Sequence, residues 1–256
     1  MRTIDIKSFF KTIGYSWKKD EKSIQEICYY TKSRARKDNP DFYIVDTKNP
    51  SFDIEKTDFR LSSGMEQPFL IKSIADWKKS RSFFEIGTGR GTACYATSLS
   101  NSIESIDTVD IIPFDYKRSE AIGYSQSFVS NKDLYEMISF KEKSKISFYE
   151  RKDLSRILPE SKKIDLFFID GNHTDQDVIL EDFQICKFLS SESSVIIWDD
   201  YYPDKFAIKD SVHTVMKNFP QYEMLLIESR GHLFEGKEPE RECGTIIMAE
   251  KGVLAI

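Results

Sequence analysis

The chain has 256 residues and little that would tie it to a membrane, an oxidising compartment or a polyanion. No apolar run approaches the roughly 18 residues needed to cross a bilayer, and the N-terminus lacks a hydrophobic signal segment. The four cysteines form no C-x-x-C pair, which argues against a zinc knuckle or a disulfide framework. With a formal net charge of −5, bulk charge does not favour nucleic acid or anionic lipid. These features predict a globular, cytoplasmic protein with reduced thiols.

What the chain does have is an alternation of short apolar strands and helical segments from residue 65 onward. Alternation of this kind predicts an α/β fold with a mostly parallel sheet covered by helices on both faces. The last two strands follow each other without an obvious helix, which allows an antiparallel pair at the sheet edge. Strands are predicted at 82–86, 106–110, 146–149, 164–169, 194–198, 224–227 and 245–248, and helices at 67–77, 91–99, 133–139, 175–189 and 209–219.

Residues 1–60 differ from this pattern and contain a basic stretch from Lys32 to Lys37. We interpret them as an N-terminal extension that serves as a lid or an oligomer contact. The main domain is then predicted to span residues 61–256. The segment at 113–131 is a second candidate for a lid over a bound ligand.

The strand at 82–86 runs into a glycine-rich turn from Gly87 to Gly91, with Glu85 just before it. Glycines permit a tight turn and a close backbone approach to a ligand. The helix that follows directs its first N–H groups at anything acidic. A dinucleotide-binding turn would have Gly or Ala at position 92, where this chain has Thr92.

Acidic residues end the next two predicted strands. Asp110, nineteen residues after Gly91, can accept two hydrogen bonds from a ribose diol. Asp153 can accept a hydrogen bond from an adenine amino group, or it simply caps the next helix.

The glycine turn with Asp110 and Asp153 resembles class I S-adenosylmethionine-dependent methyltransferases over about residues 61–250. The resemblance implies a Rossmann-like sheet of seven strands, the last antiparallel, and S-adenosylmethionine (SAM) as cofactor. Gly87, Gly89 and Gly91 would line its methionine part, and Asp110 would hold the ribose. The stretch before the first helix closes over the cofactor in related folds. The cofactor-binding residues expected on this basis are Glu85, Gly87, Thr88, Gly89, Gly91, Asp110, Asp153 and Ser63, with Glu66 as a weaker candidate.

Three acids follow the fourth and fifth strands of the predicted sheet: Asp170, Asp199 and Asp200. If these strands are neighbours, the carboxylates converge and repel one another unless they bind a cation. Hard oxygen ligands of this kind suit Mg²⁺ or Ca²⁺. The alternative is that one or two of these acids cap helices.

The motifs I-D-G-x-H and, about 25 residues later, D-D-Y resemble metal-dependent O-methyltransferases of the catechol and antibiotic-sugar types (novobiocin, macrocin and mycinamicin pathways). The resemblance implies that Asp170, Asp199 and Asp200 are metal ligands. It also makes His173 and Asp170 the catalytic candidates. Some of the sugar enzymes have an Asp base at the position of Asn172, where this chain departs from them. His173 is interpreted as the general base, although it could instead orient Asp170 or cap the helix near residue 175.

The resemblance thus implies an O-methyltransferase assisted by a divalent metal, Mg²⁺ first, that acts on a hydroxyl of a small molecule. A sugar or glycosylated metabolite is favoured over a catechol, and a homo-oligomer is expected. Three alternatives remain open: a methyltransferase acting on RNA or protein, a non-catalytic nucleotide-binding module, and an NAD-binding oxidoreductase. The basic stretch supports only the first of these, and Thr92 disfavours the last.

Overall fold

The computed structural model describes residues 1–16, 67–89, 91–117, 130, 132, 135–136, 140–154, 162–202, 205–229 and 243–255. The strands are β1 Arg2–Asp5, β2 Ser82–Ile86, β3 Ser105–Asp110, β4 Ile146–Glu150, β5 Ile164–Ile169, β6 Ser190–Trp198, β7 Tyr222–Ser229 and β8 Cys243–Glu250. The helices are α1 Ile6–Thr12, α2 Gln67–Lys78, α3 Thr92–Ser98, α4 Phe140–Lys143, α5 Gln176–Leu189 and α6 Phe206–Asn218, and a 3₁₀ turn spans Arg151–Asp153. No helix within these ranges is long and apolar enough to cross a membrane.

The strands form one sheet in the order β1-β7-β8-β6-β5-β2-β3-β4. Strand β8 runs antiparallel to both of its neighbours, and all the other pairs are parallel. The mostly parallel sheet and its antiparallel last strand are therefore confirmed, and all seven predicted strands are present. The predicted count of seven is one short, because β1 adds a parallel strand at the edge beside β7.

Strand β1 has no signature in the sequence because it is short and mostly exposed. The helix that follows it is anchored more firmly. Asp5 caps α1 by accepting a hydrogen bond from the N–H of Ser8 (3.0 Å). Phe9 is fully buried and meets the ring of Trp77 in α2 edge-on, with 6.2 Å between centroids. The described start of the N-terminal segment thus packs on the main domain. Its boundary near residue 60 stays a prediction, since residues 17–66 lie outside the described ranges.

Apolar side chains alternate along the strands and fill two cores, one on each face of the sheet. In β2, Phe83 packs with α1, α2 and α3, whereas Phe84 packs with α5 and α6. Successive residues of a strand point to opposite faces, so the apolar residues 166–169 of β5 alternate between the two cores. Each fully buried side chain of this size contributes about 1.5–3 kcal/mol. The sheet is therefore a rigid support for whatever follows the ends of its strands.

The predicted helices at 67–77, 91–99, 175–189 and 209–219 correspond to α2, α3, α5 and α6. The predicted helix at 133–139 and the lid candidate at 113–131 fall mostly outside the described residues, and Cys28 lies outside them altogether. Cys94 and Cys186 are buried, as expected of core cysteines.

Candidate active site

The carboxyl ends of four neighbouring strands lie level with one another. Val109 pairs with Ile86, Ile86 with Ile169, and Ile169 with Trp198. Backbone hydrogen bonds continue the same ladder by one step, from Gly87 N to Val109 O (2.8 Å), from Asp170 N to Ile86 O (2.8 Å) and from Asp199 N to Ile169 O (3.1 Å). The next residue along each of the four strands therefore stands in one row: Asp110, which ends β3, and Gly87, Asp170 and Asp199, which follow β2, β5 and β6. This edge is where ligands bind in open α/β sheets.

The glycines of the turn are required for two different reasons. Gly87, Gly89 and Gly91 have φ values of +96°, +47° and +65°, which L residues rarely adopt. A β-carbon on Gly87 would in addition overlap the backbone carbonyl of Asp170. A β-carbon on Gly89 or Gly91 would meet no described atom within 4 Å. The turn is therefore closed against Asp170 on one side and open on the other.

A buried hydrogen-bond network supports the turn from below. Glu85 is only 1% exposed, and its Oε2 accepts hydrogen bonds from Cys94 Sγ (2.8 Å) and Thr108 Oγ1 (2.6 Å). Thr108 Oγ1 lies 2.7 Å from Thr88 Oγ1. Burial raises the pKa of Glu85 to about 8, although both hydrogen bonds to it act in the opposite direction. The side chains of Glu85 and Thr88, both expected to bind the cofactor, are thus turned into the protein, and their contact with a cofactor stays a prediction.

Asp110 fastens the turn to the loop that follows β3. Its Oδ2 accepts a hydrogen bond from Gly89 N (3.1 Å), and its Oδ1 accepts one from Ile112 N (3.0 Å). The carboxylate therefore stands beside the glycines, where the sequence places a ribose. Asp153 ends the 3₁₀ turn that follows β4, the neighbour of β3. Ser63 and Glu66 lie outside the described residues.

Asp170, Asp199 and Asp200 meet at the ends of β5 and β6. Asp199 is 5% exposed. Asp200 has a φ of +54°, a left-handed conformation that Asp tolerates better than most residues. Its N–H donates to Asp199 Oδ1 (2.6 Å). In a regular strand two consecutive residues would face opposite ways, so this turn is what allows both acids to serve one site.

His173 lies between two of these acids. Its Nε2 is 3.4 Å from Asp170 Oδ1, and its Nδ1 is 3.2 Å from Asp200 Oδ2. Lys205 Nζ approaches the same Asp200 oxygen at 3.8 Å. Burial alone would lower the pKa of His173, but the hydrogen bond and charge of Asp170 and the charge of Asp200 outweigh it and raise the pKa. The surroundings of the ring therefore favour its protonated form.

Two of the three acids have raised pKa values. Burial raises the pKa of Asp170, even though His173 acts in the opposite direction. The pKa of Asp199 is raised well above its ordinary value, by burial first and then by the charges of Asp170 and Asp200. Asp200 also raises the pKa of Asp170 through its charge, so the acids of this site disfavour one another's ionisation.

Capping does not explain these residues. Helix α5 is capped by Asp175, whose side chain accepts from Asp177 N (3.0 Å). Helix α6 begins after Lys205, which makes no side-chain cap bond. The Asn172 side chain closes the turn before α5 by accepting from Thr174 N (2.8 Å). The alternatives in which His173 or the three acids serve as caps of α5 and α6 are therefore wrong, and Asn172 has a structural role in the turn.

Several solved structures share this fold. The O-methyltransferase TomG from Streptomyces achromogenes, involved in tomaymycin synthesis and solved with SAM, has a TM-score of 0.53 at 15% identity over 73% of this chain and 81% of TomG. An O-methyltransferase from Bacillus cereus, solved with SAH, has a TM-score of 0.51 at 16% identity over 72% of this chain and 80% of its own. The SAH-bound methyltransferase PaMTH1 from Podospora anserina has a TM-score of 0.51 at 15% identity over 75% and 80% of the two chains. Likeness at such low identity shows the fold alone, and the sequence has no match among curated proteins.

Residues 84–201 match the family described as methyltransferase domain. These residues include the glycine turn, Asp110 and the three acids Asp170, Asp199 and Asp200. Over these residues the chain is similar to a methyltransferase domain. This confirms the fold and enzyme class that the sequence motifs predicted, and it disfavours the NAD-binding alternative.

One residue of the methyltransferase site is not predicted by the sequence motifs. Gln67, the first residue of α2, donates a hydrogen bond from Nε2 to Asp199 Oδ1. The pattern around residue 67 predicts the helix correctly but says nothing about a partner 132 positions later. A polar residue immediately before the buried stretch 68–75 was the only available signal.

The donor set of the methyltransferase site fits a divalent cation chemically. Carboxylate oxygens from Asp170, Asp199 and Asp200 are the ligands that Mg²⁺ prefers. The charges of these acids raise one another's pKa, and a cation between them would offset that repulsion. Within the described ranges, however, no group of three or more His, Cys, Asp or Glu side chains is arranged to hold a metal ion. Two of the three acids face His173 instead.

Proposed function

We propose that this domain transfers the methyl group of SAM to a hydroxyl of a small molecule, a sugar or a glycosylated metabolite, with the help of a divalent cation, Mg²⁺ first. The observation that carries the proposal is the convergence of Asp170, Asp199, Asp200 and His173 directly beside the glycine turn. Two of the similar structures are named as O-methyltransferases, which supports a hydroxyl acceptor.

The cofactor is proposed to lie on the open side of the glycine turn. A β-carbon on Gly89 or Gly91 would meet no atom of the described residues within 4 Å on that side. Asp110 stands next to Gly89 and offers carboxylate oxygens to a ribose diol. Asp153, one strand further along the sheet edge, is proposed to receive the adenine. Ser63 stays the weakest member of this set.

The acids would hold the cation, and the histidine would move the proton. Asp170, Asp199 and Asp200 are the proposed ligands. When bound there, a divalent cation lowers the pKa of a hydroxyl that coordinates it. His173, in its neutral form, accepts the hydroxyl proton on a ring nitrogen. Asp170 and Asp200, on either side of the ring, stabilise the imidazolium that results.

Methyl transfer itself is an in-line displacement. The acceptor oxygen forms a bond to the methyl carbon while the bond from that carbon to the sulfonium sulfur breaks. The sulfur keeps the electron pair, and S-adenosylhomocysteine leaves as a neutral thioether. The protein supplies alignment, because the glycine turn and the acid cluster (Asp170, Asp199 and Asp200) are joined through backbone contacts.

The acceptor pocket is only partly defined by the described residues. Tyr201 and Tyr202 follow the acids, are half-buried, and are proposed to contact the acceptor. Trp198 does not take part, because it is 1% exposed and stacks on Phe183 with 5.7 Å between the ring centroids. The acceptor-side lid expected from residues 1–60 and 113–131 stays a prediction, since most of these residues lie outside the described ranges.

A methyl-transfer assay tests the proposal. Purified protein is incubated with methyl-labelled SAM and a panel of sugars, glycosides and phenols, with Mg²⁺ or with EDTA, and products are identified by mass spectrometry. Label in a methyl ether that depends on Mg²⁺ supports every part of the proposal. If the methyl ether is labelled equally in the presence of EDTA, the proposed metal dependence is wrong. If label is found only in added RNA or protein, the proposed small-molecule acceptor is wrong. Calorimetry with SAM and SAH, with and without Mg²⁺, tests the cofactor independently.

A further inference from the structure

Gln67 makes the only described side-chain hydrogen bond that reaches the acid cluster from the helix before the glycine turn. Its Nε2 donates to Oδ1 of Asp199, the most deeply buried of the three acids. The same oxygen also accepts the N–H of Asp200 (2.6 Å). With two donors on Oδ1, the lone pairs of Asp199 that stay available are mainly those of Oδ2.

Helix α2, which carries Gln67, is firmly packed. Every residue from 68 to 75 in α2 is buried between the sheet and its neighbours. Pro68 in the first turn fixes the backbone next to Gln67, because proline locks φ at a helical value. Gln67 therefore reaches Asp199 from a fixed point, whereas a residue on a loop would not hold a carboxylate in one orientation.

The chemistry of an amide suits this position. A lysine or arginine here would neutralise Asp199 and compete with a cation for it. An amide donates a hydrogen bond but has no charge, so it fixes the carboxylate and leaves its negative charge for a metal. Partners of this kind orient the ligands of a metal and tune its affinity.

We propose that Gln67 is a positioning residue that orients the Asp199 carboxylate, so that Oδ2 is presented to the divalent cation. The inference rests on the proposed function, because it assumes that Asp199 is a metal ligand. It adds a residue from outside the matched methyltransferase family segment, which begins at residue 84.

The test is calorimetric titration of Mn²⁺ and of Mg²⁺ into the full chain, without substrate. The variants are Gln67→Met, which keeps the size of the side chain but removes its donor, and Gln67→Ala. Gln176→Met is the matched control, since Gln176 is also half-buried, also begins a helix, and donates to Thr214 (3.4 Å), away from the three acids. SAM affinity and melting temperature are measured for each variant to detect a general disturbance.

The expected result is a 10- to 100-fold loss of metal affinity in both Gln67 variants, with unchanged SAM affinity and melting temperature, and no loss in Gln176→Met. Metal binding at wild-type strength in both Gln67 variants would overturn the inference and leave the metal proposal standing. A wild-type protein that binds neither ion would overturn the metal proposal and this inference with it. A Gln67→Glu variant that binds Mn²⁺ more tightly would show that position 67 faces the ion directly, which also overturns the orienting role.

Discussion

Gly87 and Asp170 are in backbone contact. A β-carbon on Gly87 would overlap the carbonyl oxygen of Asp170 and would lie 2.9 Å from the nitrogen of Gly171. The turn expected to hold the methyl donor and the loop expected to hold the metal therefore touch without an intervening side chain. Their separation is fixed by main-chain geometry, which is the kind of alignment that a displacement between two bound groups requires.

Replacement of Gly87 by alanine should consequently destabilise the fold far more than the same change at Gly89. Gly89→Ala meets no described atom and suffers only the strain of a positive φ, about 1–2 kcal/mol. Gly87→Ala adds a steric overlap with backbone atoms, so a loss of about 3 kcal/mol or more is expected. Urea unfolding of the ligand-free proteins, followed by circular dichroism, measures both. Equal losses at the two positions would contradict the contact.

The buried carboxyl of Glu85 should make stability depend on pH. In the folded chain its pKa is about 8, against an ordinary value of 4.5. Between these values the folded protein holds a proton that the unfolded chain releases. The free energy of unfolding therefore falls as pH rises through this window, by at most about 1.4 kcal/mol per pH unit from this group.

Glu85→Gln removes that proton and should flatten this part of the profile. The amide oxygen can still accept from Cys94 and Thr108, so the fold is retained. From pH 5 to pH 8 the stability of the variant should rise relative to that of the wild type. Glu192→Gln, which changes an exposed glutamate on β6, is the control and should track the wild type. Parallel profiles for Glu85→Gln and wild type would show that Glu85 is ionised in the folded protein.

The row of site residues could be predicted from the sequence because it depends on a simple rule. Residues that follow adjacent parallel strands lie side by side, so four strand ends are enough to bring Asp110, Gly87, Asp170 and Asp199 to one edge of the sheet. The apolar runs that identify these strands are strong because each strand is buried on both faces.

Other features depend on contacts that have no local signature. Strand β1 has one partly buried residue, and it is held by pairing with β7 more than 200 positions later. Gln67 reaches Asp199 across 132 positions. The left-handed backbone of Asp200 and the role of Asn172 in a turn follow from the loop geometry after each strand. Tertiary packing decides such features, and spacing along one chain does not encode them.

Asp199→Asn should change stability and metal binding in opposite directions. The asparagine oxygen can still accept from Gln67 and Asp200, while the buried charge next to Asp170 is removed. The ligand-free variant should therefore be at least as stable as the wild type at pH 7, since burial disfavours the ionised carboxyl. Its affinity for Mn²⁺ should fall by about 100-fold or more, because a ligand is lost.

Calorimetry and thermal unfolding measure the two effects of Asp199→Asn. SAM affinity should be unchanged, since Asp199 is two strands away from β2, which leads into the glycine turn. Asp210→Asn, on the exposed side of α6, is the control and should behave as wild type in all three measurements. A destabilised variant that binds Mn²⁺ normally would mean that Asp199 is a structural acid.

The variant His173→Gln should distinguish a role of His173 as general base from a role in orienting Asp170. If His173 removes the hydroxyl proton, kcat should fall by about 10²- to 10⁴-fold while the affinities for SAM and Mn²⁺ persist. The deficit should shrink as pH rises, because a hydroxyl that ionises on its own needs no base. If His173 only orients Asp170, the variant should lose Mn²⁺ affinity instead, and its deficit should disappear at saturating metal. His213→Gln, on α6 and 3.5 Å from the Tyr201 hydroxyl, removes a histidine without contact to the acids and should retain full kcat.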